Sequence, residues 1–335
     1  MPQSMTPSSP PPNRSIVSLF SGAGGMDIGF HKAGFRTVWA NEYDKQISPS
    51  FRKHFPSVAF DSRSIVDIPN ADIPVGVAGV IGGPPCQSWS EAGARRGERD
   101  PRGKLFYEYI RVIEWAKPDF FVAENVHGLI HSRNLPAFLN IVELFRDIGY
   151  KVSWKLLKAS NHGVAQDRER VFVVGYADRL GMEFEFPVPR RRKKSLREAI
   201  GDLDQVPHGP SSPVPNHELH DSGYSPIFMS RNRVRGWDSQ SLTILATDRH
   251  IPFHPSAPAM VKIGKDQMDF APGSRHLYRR LTVRECARIQ GFPDNYEFLY
   301  KHPRTGYKMI GNAVPVGLAF SVARKIREDL RKCGV

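Results

Sequence analysis

One cysteine in this sequence has a setting that suits nucleophilic chemistry. Cys86 follows Gly82–Pro85, where two glycines and two prolines fix an irregular backbone and place the next side chain at the start of a loop. A lone cysteine is more often a small buried apolar residue than a catalyst. The Pro-Pro turn, the polar residues Gln87–Ser90 and the absence of a partner cysteine favour a nucleophile here.

A carboxylate and two arginines could serve the same site. Glu124 follows the apolar run 120–123, and in a parallel sheet it would face the same side as Cys86, where it could act as an acid or hydrogen-bond donor. A helix-capping role is the alternative. Arg168 and Arg170 alternate along the chain, so on an extended segment they would share one face and could clamp an anion or a base edge. A surface salt-bridge ladder is the alternative for them.

Two glycine-rich segments could contact ligands. The loop 20–25 follows a β-type run, and such loops let backbone amides approach a cofactor. Its glycines lack the GxGxxG spacing, which argues against a nicotinamide dehydrogenase. Glu42, at the end of the next strand, is suited to ribose hydroxyls, although a solvated carboxylate would look the same. The segment 91–103, which carries Arg95 and Arg96, is expected to be either a lid that closes on a phosphate backbone or an ordinary solvated loop.

Strands and helices alternate along the first half of the chain. Short apolar runs at 16–20, 37–40, 79–81 and 120–123 predict strands that end on polar or glycine-rich residues, and helical patterns cover 26–33, 105–116 and 135–148. This alternation predicts an α/β fold with a mainly parallel twisted sheet and helices on both faces. Ligands of such sheets bind at the carboxyl ends of the strands, where the candidate residues lie.

Composition changes mark three parts of the chain. Residues 1–14 are rich in proline and serine and predict a flexible tail. Residues 15–177 and 275–335 carry the regular patterns, including helices at 283–290 and about 316–332, and predict one catalytic and cofactor-binding domain. Between them, 178–274 begins with a basic run at 190–194 and predicts a smaller inserted domain of short strands and turns.

The overall charge suits a polyanionic partner. The chain of 335 residues has a formal net charge of +13 and a pI near 9.7. Its three cysteines are far apart, so neither a disulfide framework nor a zinc site is expected. The sequence has no apolar run long enough for a membrane span and no signal-peptide pattern. We therefore expect a cytoplasmic protein that binds nucleic acid, without a membrane or a metal.

Six blocks of the sequence, in order and spacing, resemble the DNA (cytosine-5) methyltransferase family. They are FSGAGG at 20–25, GGPPCQSWS at 82–90, ENV at 124–126, QDRER at 166–170, RRLTVRECARIQGFP at 279–293 and GYKMIGNAVP at 306–315. The resemblance covers nearly the whole chain except the first 14 residues and the inserted segment. It implies the fold of S-adenosylmethionine-dependent methyltransferases, a target-recognition domain at 178–274 and a monomer that acts on double-stranded DNA.

The resemblance also assigns roles to residues. Cys86, Glu124, Arg168 and Arg170 would be catalytic. S-Adenosyl-L-methionine would contact Phe20, Gly22, Ala23, Gly24, Glu42, Tyr43, Asp61, Pro84, Leu105, Asn312 and Ala313. The family often has Gly-Asp-Ile where this chain has Asp61–Ile65, so either Asp61 or Ser64 would meet the adenine. Metals have no role in this reaction.

The implied reaction requires these residue types. Cys86 as a thiolate would add to C6 of a cytosine while Glu124 supplies a hydrogen bond or a proton at N3, and C5 would then accept the methyl group. The cytosine must leave the duplex for C6 to be reached. We expect DNA contacts from Gln87, Ser88, Arg95, Arg96, Arg231, Arg233, Arg235, Thr243 and Arg249.

The segments 229–244 and 254–258 resemble GGCC-specific bacterial modification enzymes, although 245–248 departs from that group. A place in a restriction-modification system, with action at the nucleoid, would follow. Two alternatives remain open. One is an RNA (tRNA) cytosine-5 methyltransferase of the same fold, disfavoured by the long basic recognition segment and by the absence of a Cys-Phe-Thr insertion. The other is a non-catalytic DNA-binding relative, disfavoured by the presence of Cys86, Glu124 and both arginines.

Overall fold

The computed structural model describes residues 13–85, 104–220 and 222–335. Cys86 and the loop after it therefore lie outside the described residues, as do Gln87, Ser88, Arg95 and Arg96. The statements below concern the described part of the chain.

A seven-stranded sheet forms the centre of the fold. Its strands are β1 (Ser15–Leu19), β2 (Arg36–Asn41), β3 (Ala59–Asp61), β4 (Gly79–Gly82), β5 (Phe120–Val126), β6 (Tyr150–Lys158) and β7 (Glu169–Ala177). Their order across the sheet is β3-β2-β1-β4-β5-β7-β6. The first five strands are parallel, whereas β7 runs antiparallel to both β5 and β6. The predicted mainly parallel α/β fold is confirmed.

Helices cover both faces of this sheet. They are α1 (Gly25–Lys32), α2 (Ser48–His54), α3 (Lys104–Ala116), α4 (Leu135–Asp147), α5 (Leu196–Ile200), α6 (Val283–Gln290), α7 (Pro303–Asn312) and α8 (Val316–Lys332). Side chains of α3 and α4, among them Phe106 and Phe138, pack on one face with Phe121. Side chains of α1 and α8, among them Phe30, pack on the other face with Phe120. Because neighbouring strand residues point to opposite faces, a strand covered on both sides is apolar throughout.

The order in which successive strands are placed in the sheet reverses between β1 and β4. From β1 the strand order leads outward through β2 to β3, and from β4 it leads the other way through β5. The loops after β1 and β4 therefore diverge at the carboxyl edge and leave a crevice, the usual ligand position in open α/β sheets. Strand β7 begins at the same edge, because Val126 at the end of β5 pairs with Arg170.

Segment 178–274 has less regular structure than the sequence predicted. Its only strands within the described residues are a hairpin of β8 (Val261–Gly264) and β9 (Gln267–Asp269); the rest is short helical turns, α5 and irregular chain. Phe228 and Phe253 belong to a small separate apolar cluster. In contrast, Leu196 of α5 packs with α6 in the cluster that also contains Ile28 of α1. The domain boundaries at 178 and 274 stay a prediction.

A carboxylate is buried beneath the loop between β1 and α1. Asp27 is 0% exposed and accepts hydrogen bonds from Ser18 Oγ at 3.1 Å and Thr37 Oγ1 at 2.9 Å. Burial raises the pKa of Asp27 to about 6, and the two hydroxyl groups partly oppose this shift. The acid form is therefore favoured in the folded protein at mildly acidic pH.

We expect Asp27→Asn to alter how stability depends on pH. The pKa of Asp27 rises on folding from 3.8 to about 6, so its contribution is fully present below pH 3.8 and is lost as pH rises through 6. The loss is up to about 3 kcal/mol. Relative to the variant, the wild type should lose free energy of unfolding between about pH 4 and about pH 6, the interval between the unfolded and folded pKa values of Asp27. Urea unfolding of both proteins across that range measures it, and a constant difference would show that Asp27 does not titrate there.

Candidate active site

A cavity opens at the carboxyl ends of β1, β2 and β4. Its volume is about 550 Å³, which lies within the range of small-molecule sites. Its walls combine apolar and polar groups and consist of Phe20, Asn41, Glu42, Tyr43, Ser64, Ile65, Val66, Asp67, Pro85 and Leu105. Four predicted cofactor residues, Phe20, Glu42, Tyr43 and Leu105, thus come together here. They come from separate parts of the chain, and the strand order brings them together.

Glu42 connects two of the loops that form this cavity. Its Oε2 accepts a hydrogen bond from the Gly22 amide at 2.9 Å, and its Oε1 accepts one from the Asp44 amide at 2.8 Å. Burial raises the pKa of Glu42, while these two backbone hydrogen bonds act against the shift. Each carboxylate oxygen keeps a second lone pair, so the pair can still accept from two neighbouring hydroxyl groups of a ligand.

The loop 20–25 holds a strained backbone at the cavity. Phe20, which lines the cavity, has a φ of 52°, unusual for a residue with a side chain. Gly24 has a φ of 72°, and a Cβ there would lie 2.6 Å from the Phe55 ring, so only glycine fits. Ala23 is buried in the core and its carbonyl accepts from Tyr296 Oη at 2.7 Å. Ala23 and Gly24 shape the loop without lining the cavity.

The structure separates Asp61 from Ser64. Asp61 pairs with Arg63, whose Nη2 lies 2.6 Å from Oδ2, and this interaction lowers the pKa of Asp61. Asp61 does not line the cavity, whereas Ser64 and Asp67 do. The arrangement favours Ser64 as the residue that meets a ligand. Asp61 instead fixes the turn through Arg63, because its carboxylate is already occupied.

Three other predicted cofactor residues are not among those that line the cavity. Pro84 is buried, and its carbonyl accepts from Asn125 Nδ2 at 2.9 Å; its neighbour Pro85 provides the wall. Asn312 is exposed at the end of α7. Ala313 packs against the start of α1, where a Cβ at Gly25 would lie 3.1 Å from the Ala313 Cβ. Their contact with a cofactor stays a prediction.

Glu124 is buried at the end of β5, next to the segment that leads to Cys86. Its side chain is 9% exposed, and a Cβ at Gly83 would lie 3.5 Å from Glu124 Oε2. Burial raises the pKa of Glu124, and the charge of Arg170 is the largest opposing influence. Arg170 Nε lies 2.8 Å from Glu124 Oε1 in an ion pair. The carboxyl group has further lone pairs that this contact does not use, so it can still accept a hydrogen bond.

The two arginines of 166–170 have different surroundings. Arg170 faces Glu124, and its Nη1 donates to the Glu169 carbonyl at 2.7 Å. Arg168 is 1% exposed and donates to the carbonyls of Ile244 at 2.8 Å and Gly311 at 2.6 Å. They do not form a clamp on one face: Arg168 turns inward, where the carbonyls of Ile244, Gly311 and Ala313 accept hydrogen bonds from it.

The arginines that were predicted to contact DNA have different surroundings. Arg231, Arg235 and Arg249 are exposed. Arg233 is 5% exposed, and it donates to the carbonyl of Phe228 at 2.6 Å and stacks on the Phe228 ring. The segment is not a regular strand, so alternate residues need not share a face. Thr243 is half-buried and donates to the Asp167 carbonyl at 2.7 Å.

Several residues of the site escaped sequence analysis. Lys308 of α7 pairs with Asp44 at 2.6 Å and so fixes the turn that carries Glu42 and Tyr43. Asn41 supports the same region, because its Nδ2 donates to the carbonyls of Asp61 and Arg63. Asn41 could have been predicted, because it is a polar residue at the end of the second apolar strand. Lys308 gave no local signal, since its partner is distant in sequence.

Among the described residues, no group of three or more histidine, cysteine, aspartate or glutamate side chains could hold a metal ion. No helix in the same ranges is long and apolar enough to cross a membrane.

The sheet order and the crevice define the fold of S-adenosylmethionine-dependent methyltransferases. The structure of the Entamoeba histolytica methyltransferase EhMeth has this fold, with a TM-score of 0.73 and 15% identity, over 96% of this chain and 99% of that chain.

Sequence comparison defines the family. Residues 14–328 match the C-5 cytosine-specific DNA methylase family. The type II methyltransferase M.MthTI of Methanothermobacter thermautotrophicus is 50% identical over 326 residues, which cover 95% of this chain and 98% of the relative. The type II methyltransferase M.FnuDI of Fusobacterium nucleatum is 49% identical over 331 residues, covering 94% of each. The chain belongs to the C-5 cytosine-specific DNA methylase family and is a DNA (cytosine-5-)-methyltransferase of the type II restriction-modification kind.

Proposed function

We propose that this enzyme transfers the methyl group of S-adenosyl-L-methionine to C5 of a flipped-out cytosine in the duplex sequence GGCC. The observation that carries the proposal is the position of segment 83–85. Pro85 forms a wall of the cavity, while Gly83 lies against Glu124. The next residue along the chain, Cys86, thus follows a segment that touches both the cavity and the buried carboxyl group.

The cavity residues fit S-adenosyl-L-methionine. Glu42 can accept from two ribose hydroxyls with the lone pairs left free by its backbone donors. The apolar side chains of Phe20, Ile65 and Leu105 suit the adenine faces, and Ser64 offers a hydroxyl to its edge. When bound, the cofactor supplies an electrophilic methyl group on a sulfonium sulfur.

Cys86 and Glu124 would activate the cytosine ring. The Cys86 thiolate forms a bond to C6, and the electron pair of the C5–C6 bond moves toward C5 as Glu124 donates a proton or hydrogen bond at N3. C5 thereby becomes nucleophilic and would accept the methyl group, and S-adenosyl-L-homocysteine would leave as the other product. Loss of the C5 proton to a base then breaks the bond between sulfur and C6 and restores the ring. Burial of Glu124 supports this role, because its raised pKa keeps the acid form available to higher pH.

Arg170 and Arg168 would contribute in different ways. Arg170 orients Glu124 through the 2.8 Å ion pair and has further donors for a base inserted beside it. Arg168 acts as a positioning residue, because it holds β7, the recognition segment near Ile244 and the end of α7 together. Base flipping costs a few kcal/mol, so a site held rigid before binding favours the reaction.

The residues that would read the target sequence lie in and near the segment 229–249. Exposed Arg231, Arg235 and Arg249 can reach base edges or phosphates, and arginine is the usual reader of guanine. The proposal of GGCC specificity rests on the resemblance of 229–244 and 254–258 to GGCC-specific bacterial modification enzymes. The monomeric state, the cytoplasmic location and a cognate restriction enzyme remain predictions.

Methyl transfer to a defined duplex tests this function. The purified protein should transfer label from S-adenosyl-L-methionine to a duplex with one GGCC site, and sequencing after cytosine deamination should place the methyl group on one cytosine of each strand. A matched duplex with a single substitution in GGCC should be methylated with a kcat/KM at least about fivefold lower, which corresponds to about 1 kcal/mol. Label on RNA only, on adenine or on cytosine N4 would refute the reaction. Label on C5 elsewhere would refute only the target sequence.

The cofactor contact at the third strand gives a second expectation. Ser64→Ala should weaken S-adenosyl-L-methionine binding about three- to tenfold, the effect of one lost hydrogen bond. Asp61→Asn should change it less, since Asp61 contacts Arg63 instead of the cavity. Calorimetric titration of both variants compares them. If Asp61→Asn weakened cofactor binding more than Ser64→Ala, Asp61 would be the residue that contacts the cofactor.

A further inference from the structure

Five consecutive basic residues form a surface that the methyl-transfer site leaves unexplained. Arg190, Arg191, Arg192 and Lys193 are exposed, and Lys194 is half-buried. They border a surface cavity of about 310 Å³, lined by Gly163, Arg190, Arg192, Lys193, Lys194 and Glu198. We call residues 190–194 the basic segment.

The charge of the basic segment is mostly uncompensated. Arg192 Nη2 pairs with Glu198 Oε1 at 2.7 Å, and Glu198 is the only acidic side chain of the lining. Within the described ranges the other four residues of the segment make no ion pair. Nearby His162 has its pKa lowered to about 4, by burial first and then by the charges of Arg190 and Lys155. The surface therefore favours an anion.

The basic segment is held in place at both ends. The Arg190 amide donates to the Asn161 carbonyl at 2.8 Å, and the Arg190 guanidinium covers Gly163, where a Cβ would lie 2.7 Å from Nη1. At the other end, Gln240 Nε2 donates to the Lys194 carbonyl at 3.3 Å. A plain solvated loop needs neither anchor. A fixed set of cations loses less entropy when it binds a regular array of charges.

Its position relates it to the active site. Asn161 and Gly163 belong to the connection between β6 and β7, which leads directly to Arg168 and Arg170. This connection lies at the carboxyl edge, since Lys158 pairs with Glu169 and Arg170 pairs with the end of β5. The anchor at Gln240 joins the segment to 231–243. The basic segment thus lies at the edge of the sheet that carries Glu124.

We propose that the basic segment binds backbone phosphates of the duplex outside the recognition sequence. Five extended residues span at most about 17 Å, comparable to the axial rise of about five base pairs. This proposal rests on the proposed action on duplex DNA. The contact is independent of base identity and adds affinity on one flank of the target.

The salt dependence of duplex binding tests the proposal. Each lost phosphate contact lowers the slope of log Kd against log salt by about 0.9. Arg191→Gln/Lys193→Gln should therefore lower the slope by nearly 2 and weaken binding at 0.1 M salt by at least about tenfold. A duplex that ends at the target sequence should not show this loss. Fluorescence anisotropy with the full chain measures each slope, and unchanged S-adenosyl-L-methionine affinity shows that the fold is intact.

A matched control is available at the opposite edge. Arg331 and Lys332 are exposed at the end of α8, whose Asp329 accepts from Tyr176 Oη at 3.0 Å. Tyr176 pairs with Phe120 at the start of β5, away from the carboxyl edge. Arg331→Gln/Lys332→Gln removes the same charge and should leave the slope unchanged.

The outcomes separate the two proposals. Equal slopes for wild type and the 191/193 variant, or equal losses for both variants, would overturn the flanking contact while leaving methyl transfer intact. A wild type that binds no duplex would instead refute the proposed function itself. If the 191/193 variant lost affinity for RNA but not for duplex DNA, the basic segment would bind another polyanion, and the flanking contact would also be overturned.

Discussion

Cys86→Ala is expected to lower kcat on duplex DNA by about 10⁴-fold or more, the usual effect of removing a covalent nucleophile. Without addition at C6, C5 of cytosine does not become nucleophilic, so the remaining groups have no activated ring to act on. Binding of S-adenosyl-L-methionine should remain close to that of wild type, because the described cavity walls end at Pro85. Single-turnover transfer of labelled methyl groups measures the loss.

The other two cysteines provide controls. Cys286 is buried in the core, and burial raises its pKa well above the ordinary value, which makes it inert. Cys333 is exposed at the end of the last helix. Cys333→Ala should keep wild-type turnover. If Cys86→Ala kept turnover within tenfold of wild type, the covalent mechanism would be wrong, and a non-covalent or non-catalytic role would replace it.

Arg168→Met should destabilise the protein by about 3–5 kcal/mol, the cost of leaving a buried polar network without its centre. The carbonyls of Ile244 and Gly311 would lose the Arg168 donor at a buried site, whereas the Ala313 carbonyl would keep its hydrogen bond from Gln290 Nε2. Burial lowers the pKa of Arg168 to about 9, which still leaves it charged at neutral pH. Urea unfolding gives the change directly.

Arg170→Met is the matched comparison, because it removes the same group from a position two residues away. Its effect should fall on catalysis, with kcat reduced about 10²-fold or more and stability changed by less than for Arg168. Loss of the nearby positive charge raises the pKa of Glu124 further, so the high-pH limit of activity should move upward. If both variants lost equal stability and equal activity, the division between a positioning and a catalytic arginine would fail.

Much of the fold could be predicted from the sequence because local patterns were strong. Apolar runs that end on polar residues marked β1, β2, β4 and β5, and α8 was predicted at the residues where it occurs. Segment 178–274 was harder, since its prolines and polar residues fit strands, turns and irregular chain alike. Its apolar side chains pack partly on the catalytic core, which no local pattern encodes.

Part of the candidate site came from the resemblance to the family, which assigned Phe20, Tyr43 and Leu105, whereas Glu42 was also suggested by its place at the end of a strand. These four residues line one cavity, and their role in cofactor binding stays a prediction. Orientation was less accessible, because the inward turn of Arg168 and Arg233 depends on carbonyls brought near by tertiary folding. The choice between Asp61 and Ser64 depended on a competing partner, Arg63.

Trapping the covalent intermediate would test the mechanism most directly. In a duplex whose target cytosine carries fluorine at C5, methyl transfer leaves no proton on C5 to remove, so the bond between the Cys86 sulfur and C6 should persist. The predicted result is a stable complex with the mass of protein, DNA and one methyl group, with the DNA mapped to the peptide that contains Cys86. No complex should form with Cys86→Ala. A wild type that methylates ordinary duplex yet forms no complex, or a link at another residue, would contradict this mechanism.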